Sequence, residues 1–195
     1  MADPLGSIIR AAAKYPGDIL ARTKVTPNQL TLIGFLANCY VAVLISAGQI
    51  GFLAMGLLIW VAGFFDALDG SVARTKGRVT VFGNFFDSTL DRYSDAVIYL
   101  GIMAYFLNAG QTDHAMLTAV AMLGSLAVSY VRAKAESLSL QCEVGLMPRA
   151  VRILILGAGF CFYRPTWSLL IIAVLSHLTV AQRVLYVRKH LSKKS

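Results

Sequence analysis

The sequence predicts an all-α, polytopic membrane protein: six transmembrane helices preceded by an N-terminal interfacial amphipathic helix. Three observations carry this. Of the 195 residues, 57% are hydrophobic and 14% charged, where a soluble domain is nearer roughly 45–50% apolar and 25% charged. Mean hydropathy is +0.65, and the apolar residues gather in long runs. Lys and Arg fall in four clusters, residues 10–24, 74–78, 132–152 and 183–194, and avoid the turns at 48–51 and 108–113.

In chain order, Leu5, Ile8, Ile9 and Ala12 recur at helical spacing, with Arg10 and Lys14 off that stripe, until Pro16-Gly17 breaks the pattern. This is the signature of a helix lying on a membrane surface. The first 20 residues lack a continuous apolar core followed by a small-residue cleavage site, so no signal peptide is expected. A spanning helix needs roughly 20 residues at about 1.5 Å rise each. "LTLIGFLANCYVAVLISA" (30–47) is the first span. The second starts at Phe52 and is apolar only to Phe65, so it must continue through Asp66 to about Ala73. The third is its mirror image: an apolar part at 96–107 that must extend back through acidic residues to Gly83. Spans four (115–135), five (149–163) and six (167–187) follow.

Six spans put both termini on one side, and all four basic clusters with them; Arg164 alone lies opposite and Arg92 falls within span three. By the positive-inside rule that side is cytoplasmic. The expected organisation is one domain over 1–195: an interfacial segment at 1–24, a transmembrane core at 25–188 and a basic tail at 189–195 in which Lys193 and Lys194 touch anionic headgroups. The net charge of +8 thus reflects orientation in a bilayer, with no nucleic-acid partner implied. Cys39, Cys142 and Cys161 have no metal-ligand spacing and read as small core or lipid-facing residues.

The acids are the anomaly. "FFDALDGSVARTKGRVTVFGNFFDSTLDRYSDAVIYLG" (64–101) places Asp66, Asp69, Asp87, Asp91 and Asp95 between bilayer-grade segments. Asp66 and Asp69 are three apart and Asp87 and Asp91 four apart, so each pair shares one helix face. If spans two and three pack together, the four converge on one space. An unpaired carboxylate at mid-bilayer costs roughly 2.5–3.5 kcal/mol even on a lenient scale, so a cation is expected among them. Hard oxygen donors with no His or Cys nearby suit Mg²⁺, Mn²⁺ or Ca²⁺, and such a cluster holds two ions that neutralise a phosphate-bearing substrate. The bland reading is a set of capping or ion-paired acids at the membrane edge, partnered by Arg74, Lys76 and Arg78; four acids at this spacing exceed it. Gly70 and Gly83 border the acids, where the lack of a side chain admits a flat ligand; helix packing through small residues is the competing reading.

"DALDGSVARTKGRVTVFGNFFDSTLD" resembles the defining motif of the CDP-alcohol phosphotransferases, D-x-x-D-G-x-x-A-R-x8-G-x-x-x-D-x-x-x-D. Asp66, Asp69, Gly70, Ala73, Arg74, Gly83, Asp87 and Asp91 match all eight fixed positions over 26 residues. The resemblance implies a six-span fold, two divalent ions (Mg²⁺, with Mn²⁺ possible) on Asp66, Asp69, Asp87 and Asp91, and Asp91 as general base. It implies transfer of a phosphatidyl group from a CDP-lipid such as CDP-diacylglycerol to an acceptor hydroxyl with release of CMP, and a homodimer. Its nucleotide contacts carry over to "TPNQ" (Thr26, Pro27, Asn28, Gln29) and to Gly70, Arg74 and Thr80. "TPN" is also a good helix start, and the two readings are compatible.

For the acceptor, "SYVRAKAESLSLQCEVGLMPRAVRILILG" is similar to the subgroup that makes phosphatidylinositol phosphate from inositol phosphate. Arg132, Lys134, Glu136, Arg149 and Arg152 stand at matching places, and Arg183 in "AQR" resembles a further phosphate-facing arginine. The subgroup's E-R-x-E-R reads here Pro148-Arg149-Ala150-Val151-Arg152, with both glutamates gone. A phosphorylated polyol is expected, inositol 1-phosphate first and glycerol 3-phosphate second. Arg149 and Arg152 anchoring span five by snorkelling is the bland alternative. An intramembrane prenyltransferase would have more spans, and a cation transporter would place its acids near the midplane on broken helices. Asp95 lies outside the motif, one turn beyond Asp91, as a partner for Arg92 or for the substrate pocket.

Overall fold

A computed structural model of the chain describes residues 11, 14–16, 18, 23, 25–75 and 80–192, and excludes the side chains at 66, 67, 69–71, 73 and 74. Most of the expected interfacial segment 1–24, and Lys193 and Lys194 of the expected tail, lie outside the described residues. Every regular element among the described residues is helical: α1 (Pro27–Ala47), α2 (Phe52–Thr75), α3 (Val81–Asn108), α4 (Thr112–Ser137), α5 (Arg149–Cys161) and α6 (Pro165–Leu191).

The termini follow from local chemistry. Thr26 Oγ1 accepts from the Gln29 N–H while the Thr26 N–H donates to Gln29 Oε1, a reciprocal capping box, with Pro27 in the first turn of α1. Gly48 ends α1 in the left-handed conformation, its N–H donating to the Ile45 carbonyl. Thr80 caps α3 through the Gly83 N–H, and Pro165 opens α6. α6 runs to Leu191, so Lys189 and His190 extend the helix where a tail was expected.

α1 packs on α2 and α3, α4 packs on α3 and α6, and α5 fits against α2 and α6. One apolar core joins them through Ile45, Met55, Ile102, Phe160, Leu169 and Ile172. A smaller cluster of Leu30, Leu68 and Val72 binds the start of α1 to the end of α2. Among the described residues α2 and α3 make no extended contact, and α1 lies against both.

The outer surface is apolar. Leu32, Ile33, Leu36, Tyr40 and Val43 of α1 and Ile171, Val174 and Leu178 of α6 are exposed, while Thr118, Ser125, Ser176 and Thr179 are buried. Polar inside and greasy outside suits lipid rather than water. α1, α4 and α6 are long and apolar enough to cross a membrane. α2 is apolar only over Phe52–Phe65, and α3 carries four charged residues between Asp87 and Asp95. α5 has 13 residues, about 20 Å, short of the roughly 30 Å of a hydrocarbon core.

The irregular segment 138–148 precedes α5 and turns inward, burying Leu140, Cys142 and Met147. α6 holds it: Arg183 Nε donates to the Val144 carbonyl at 2.9 Å, and the Leu146 N–H donates to Thr179 Oγ1 at 3.2 Å. Between them Gly145 adopts φ +124°, and a Cβ there would run into Thr179. Buried non-helical backbone is tolerated here because its polar groups find partners inside the protein.

Candidate active site

Two helical stripes, a short helix and one buried arginine enclose a cavity of about 360 Å³, within the roughly 300–1,000 Å³ usual for small-molecule sites. Asn84, Ser88, Asp91 and Asp95 line it from α3 at spacings of four, three and four, one face of the helix. Ser129, Arg132, Ala133 and Glu136 do the same from α4. Arg149 and Arg152 enter from the first turn of α5, and Arg183 from α6.

The arginines converge on the α3 acids. Arg149 Nη1 meets Asp91 Oδ1 at 2.6 Å, and its Nε meets Asp95 Oδ1 at 3.0 Å. Arg152 Nη2 lies 3.0 Å from Asp95 Oδ2, while its Nη1 donates to the Met147 carbonyl at 2.9 Å. Arg152 and Arg183 are almost wholly buried, 2% and 4% exposed. A buried guanidinium is sustained only by acceptors around it; Arg183 uses the carbonyls of Val144 and, at 2.6 Å, Val128. Both Arg149 and Arg152 thus have acid partners on α3. Arg132 pairs with Glu136 at 2.8 Å, each half exposed, a contact contributing little to stability.

Asp91, Arg132, Arg149, Arg152 and Arg183 share this one cavity. Lys134 does not: it is exposed and outside the lining, because positions 129, 132, 133 and 136 face inward and 134 falls between them. Asp95 is not a partner of Arg92, whose Nη1 donates to the Ser88 carbonyl one turn back; it serves Arg149 and Arg152. Asp87 lies one turn before Asp91 on α3. The backbone of Asp66, Asp69, Gly70, Ala73 and Arg74 is helical within α2, and their side chains lie outside the described residues.

The expected nucleotide segments are neighbours. A Cβ on Gly83 would stand 2.8 Å from Thr80 Oγ1 and 3.2 Å from Asn28 Oδ1, so the start of α1 approaches the start of α3 where residue 83 has no side chain. Thr26 and Gln29 spend their side chains on each other in the capping box. Asn28, half-buried beside Gly83, is the member of "TPNQ" turned toward α3.

Asp87 and Asp91 supply hard oxygen donors one turn apart, the chemistry that Mg²⁺ and Mn²⁺ prefer. Among the described residues no three His, Cys, Asp or Glu side chains form a metal-binding group; the side chains of Asp66 and Asp69, the other two expected ligands, lie outside the described residues. Asn84, Ser88 and Ser129 were not anticipated as lining residues. The signal for the first two was present, since they extend the Asp91–Asp95 stripe backward at helical spacing.

Residues 24–187 match the CDP-alcohol phosphatidyltransferase family. The chain belongs to that family. It is a membrane enzyme of the CDP-alcohol phosphatidyltransferase type. It is 38% identical to archaetidylinositol phosphate synthase of Methanothermobacter thermautotrophicus over 184 residues, 91% of each chain. It is 39% identical to phosphatidylinositol phosphate synthase of Cutibacterium acnes over 190 residues, 88% of this chain and 90% of that protein. Among solved structures it resembles Mycobacterium tuberculosis phosphatidylinositol phosphate synthase with CDP-DAG bound, at TM-score 0.78 and 27% identity, covering 95% of this chain and 94% of the other. The same synthase in complex with manganese and citrate superposes at TM-score 0.80, again 27% identical, over 90% and 88% of the two chains.

Proposed function

We propose that this phosphatidyltransferase moves a phosphatidyl group from CDP-diacylglycerol, or a related CDP-lipid, to a hydroxyl of inositol 1-phosphate, releasing CMP. The observation that carries the reading is a shared cavity: Asp91, the last acid of the transferase motif, opens onto the same space as Arg132, Arg149, Arg152 and Arg183. Five arginines and three acids line it, an excess of positive charge suited to a phosphomonoester of about −1.5 to −2. Guanidinium forks grip such a group through paired, charge-assisted hydrogen bonds. Asn84, Ser88 and Ser129 add hydroxyl and amide partners for a polyol ring.

The donor half of the reading rests on Asn28, Thr80, Gly83 and the α2 residues Asp66, Asp69, Gly70, Ala73 and Arg74, with the CDP-lipid between α2 and α3. Asp66, Asp69, Asp87 and Asp91 would hold two divalent ions, Mg²⁺ first and Mn²⁺ second. When bound, the ions supply positive charge that stabilises the diphosphate during transfer. The protein then has to present a hydroxyl and take its proton. With the acceptor phosphate held by the arginines, its hydroxyl faces Asp91, which accepts the proton as the oxygen attacks the lipid-bearing phosphorus. The new O–P bond forms, and the bond to CMP breaks with its electron pair leaving on CMP.

The same proposal includes topology. The six helices are read as six spans, with both termini, the four basic clusters and the active site on the cytoplasmic side. α5 crosses together with the inward segment 138–148, which makes up the missing length. A homodimer is part of the reading. The relatives divide between archaetidyl and phosphatidyl products, so CDP-archaeol is the second lipid to try.

The test is CMP release by purified protein with Mg²⁺ and CDP-diacylglycerol, offering inositol 1-phosphate or glycerol 3-phosphate separately. Release with inositol 1-phosphate alone is expected. Release only with glycerol 3-phosphate would keep the transferase core and make the product phosphatidylglycerol phosphate.

A further inference from the structure

The two arginines that open α5 have no acid of their own helix beside them, since the turn reads Pro148-Arg149-Ala150-Val151-Arg152. Two neighbouring guanidinium groups repel each other, and each ends a long side chain with much rotamer freedom. Left alone they would splay. Asp95 meets both from α3, and it divides its oxygens: Oδ1 faces Arg149 Nε at 3.0 Å and Oδ2 faces Arg152 Nη2 at 3.0 Å. Its side chain is 10% exposed and lines the cavity together with Arg149 and Arg152.

We propose that Asp95 is a positioning residue for the acceptor site, a carboxylate that clamps Arg149 and Arg152 side by side so that both guanidinium groups meet the acceptor's phosphate already ordered. The inference rests on the acceptor reading given above. Asp95 does not touch the phosphate, because a carboxylate facing a phosphomonoester repels it. It works through the arginines, supplying from a neighbouring helix the negative charge that α5 lacks. Each side chain ordered before binding is one whose entropy the ligand no longer has to offset. The Arg152 end is fixed twice, by Asp95 and by the Met147 carbonyl, so its plane as well as its position is set. Ser129 Oγ, at 3.5 Å from the same Nη2, closes the arrangement from α4.

The experiment uses the full chain in detergent with Mg²⁺, CDP-diacylglycerol and inositol 1-phosphate. Asp95→Asn keeps the size and removes the charge. The acceptor KM is expected to rise about tenfold, with the CDP-lipid KM within about twofold of wild type and thermal stabilisation by CDP retained. Asp95→Glu, which restores the charge, should recover part of the acceptor affinity. An unchanged acceptor KM in Asp95→Asn overturns the proposal, and so does an equal rise for both substrates, the mark of general loosening. Should Asp95→Asn not fold, Asp95→Glu carries the test by the same split, and failure of both to fold also overturns it, marking Asp95 as a fold-determining charge. Wild-type protein that releases no CMP with either polyol phosphate would instead remove the acceptor reading itself, and this proposal with it.

Discussion

Arg149 bridges Asp91 and Asp95, donating from Nη1 to the first at 2.6 Å and from Nε to the second at 3.0 Å. One side chain thus ties the proposed general base to Asp95, a second residue lining the proposed acceptor pocket.

Asp91→Asn is expected to abolish turnover, since it would remove the proposed base, worth about 10²–10⁴-fold, and a proposed metal ligand together. Binding of the CDP-lipid should survive. CMP release measures the first, and thermal stabilisation by CDP with Mg²⁺ measures the second. Near-wild-type turnover would take Asp91 out of the base role.

Arg152→Ala should raise the acceptor KM by at least about tenfold while leaving that of the CDP-lipid nearly unchanged, the pattern for loss of a charge-assisted contact to one substrate. Steady-state kinetics with each substrate varied in turn decides it. Equal effects on both would show that Arg152 supports the fold and not the acceptor.

Arg183→Met leaves the Val144 carbonyl without its donor, while the Val128 carbonyl loses a second donor and keeps its place in the α4 helix. Each buried acceptor left unpaired costs about 1–3 kcal/mol, so the melting temperature in detergent should fall by several degrees. Gly145→Ala attacks the same segment from the other side: a side chain at φ +124° that also overlaps Thr179 should cost about 1–3 kcal/mol. Unaltered melting in both would mean that segment 138–148 is not anchored by α6.

Gly83→Ala separates the two halves of the molecule's chemistry. Its new methyl crowds Thr80 and Asn28, and displacement of positioning groups by an ångström costs up to about a hundredfold. The CDP-lipid KM should rise and the acceptor KM stay level. The reverse result would move the nucleotide away from the α1–α3 junction.

Chelation should stop CMP release, and Mg²⁺ or Mn²⁺ should restore it, because carboxylates this close need a cation to face a diphosphate. Activity that persists in excess chelator would remove the metal from the reading.

Much of the site was legible because its chemistry is local. Asp87 and Asp91 share a helix face through spacing alone, and Thr26 and Pro27 announce the start of α1 through capping preference. The helix ends lie close to the expected spans for the same reason: apolar runs and turn residues act over a few positions. Lys134 lies off the cavity lining because a matching segment aligns side chains in sequence, whereas the turn of α4 decides which of them face inward.

What local pattern could not supply was who meets whom. The sequence alone carried the all-helical class, the acids and the family-like motif, since periodicity, spacing and composition are properties of neighbouring residues. Only the tertiary structure set α1 against both α2 and α3. It also brought Asp95 to Arg149 and Arg152, 54 and 57 residues away. No short-range rule pairs an acid with one of 18 basic residues. The choice follows from burial: Arg152 is enclosed when α5 packs, and an enclosed charge holds only where the fold delivers its counterion.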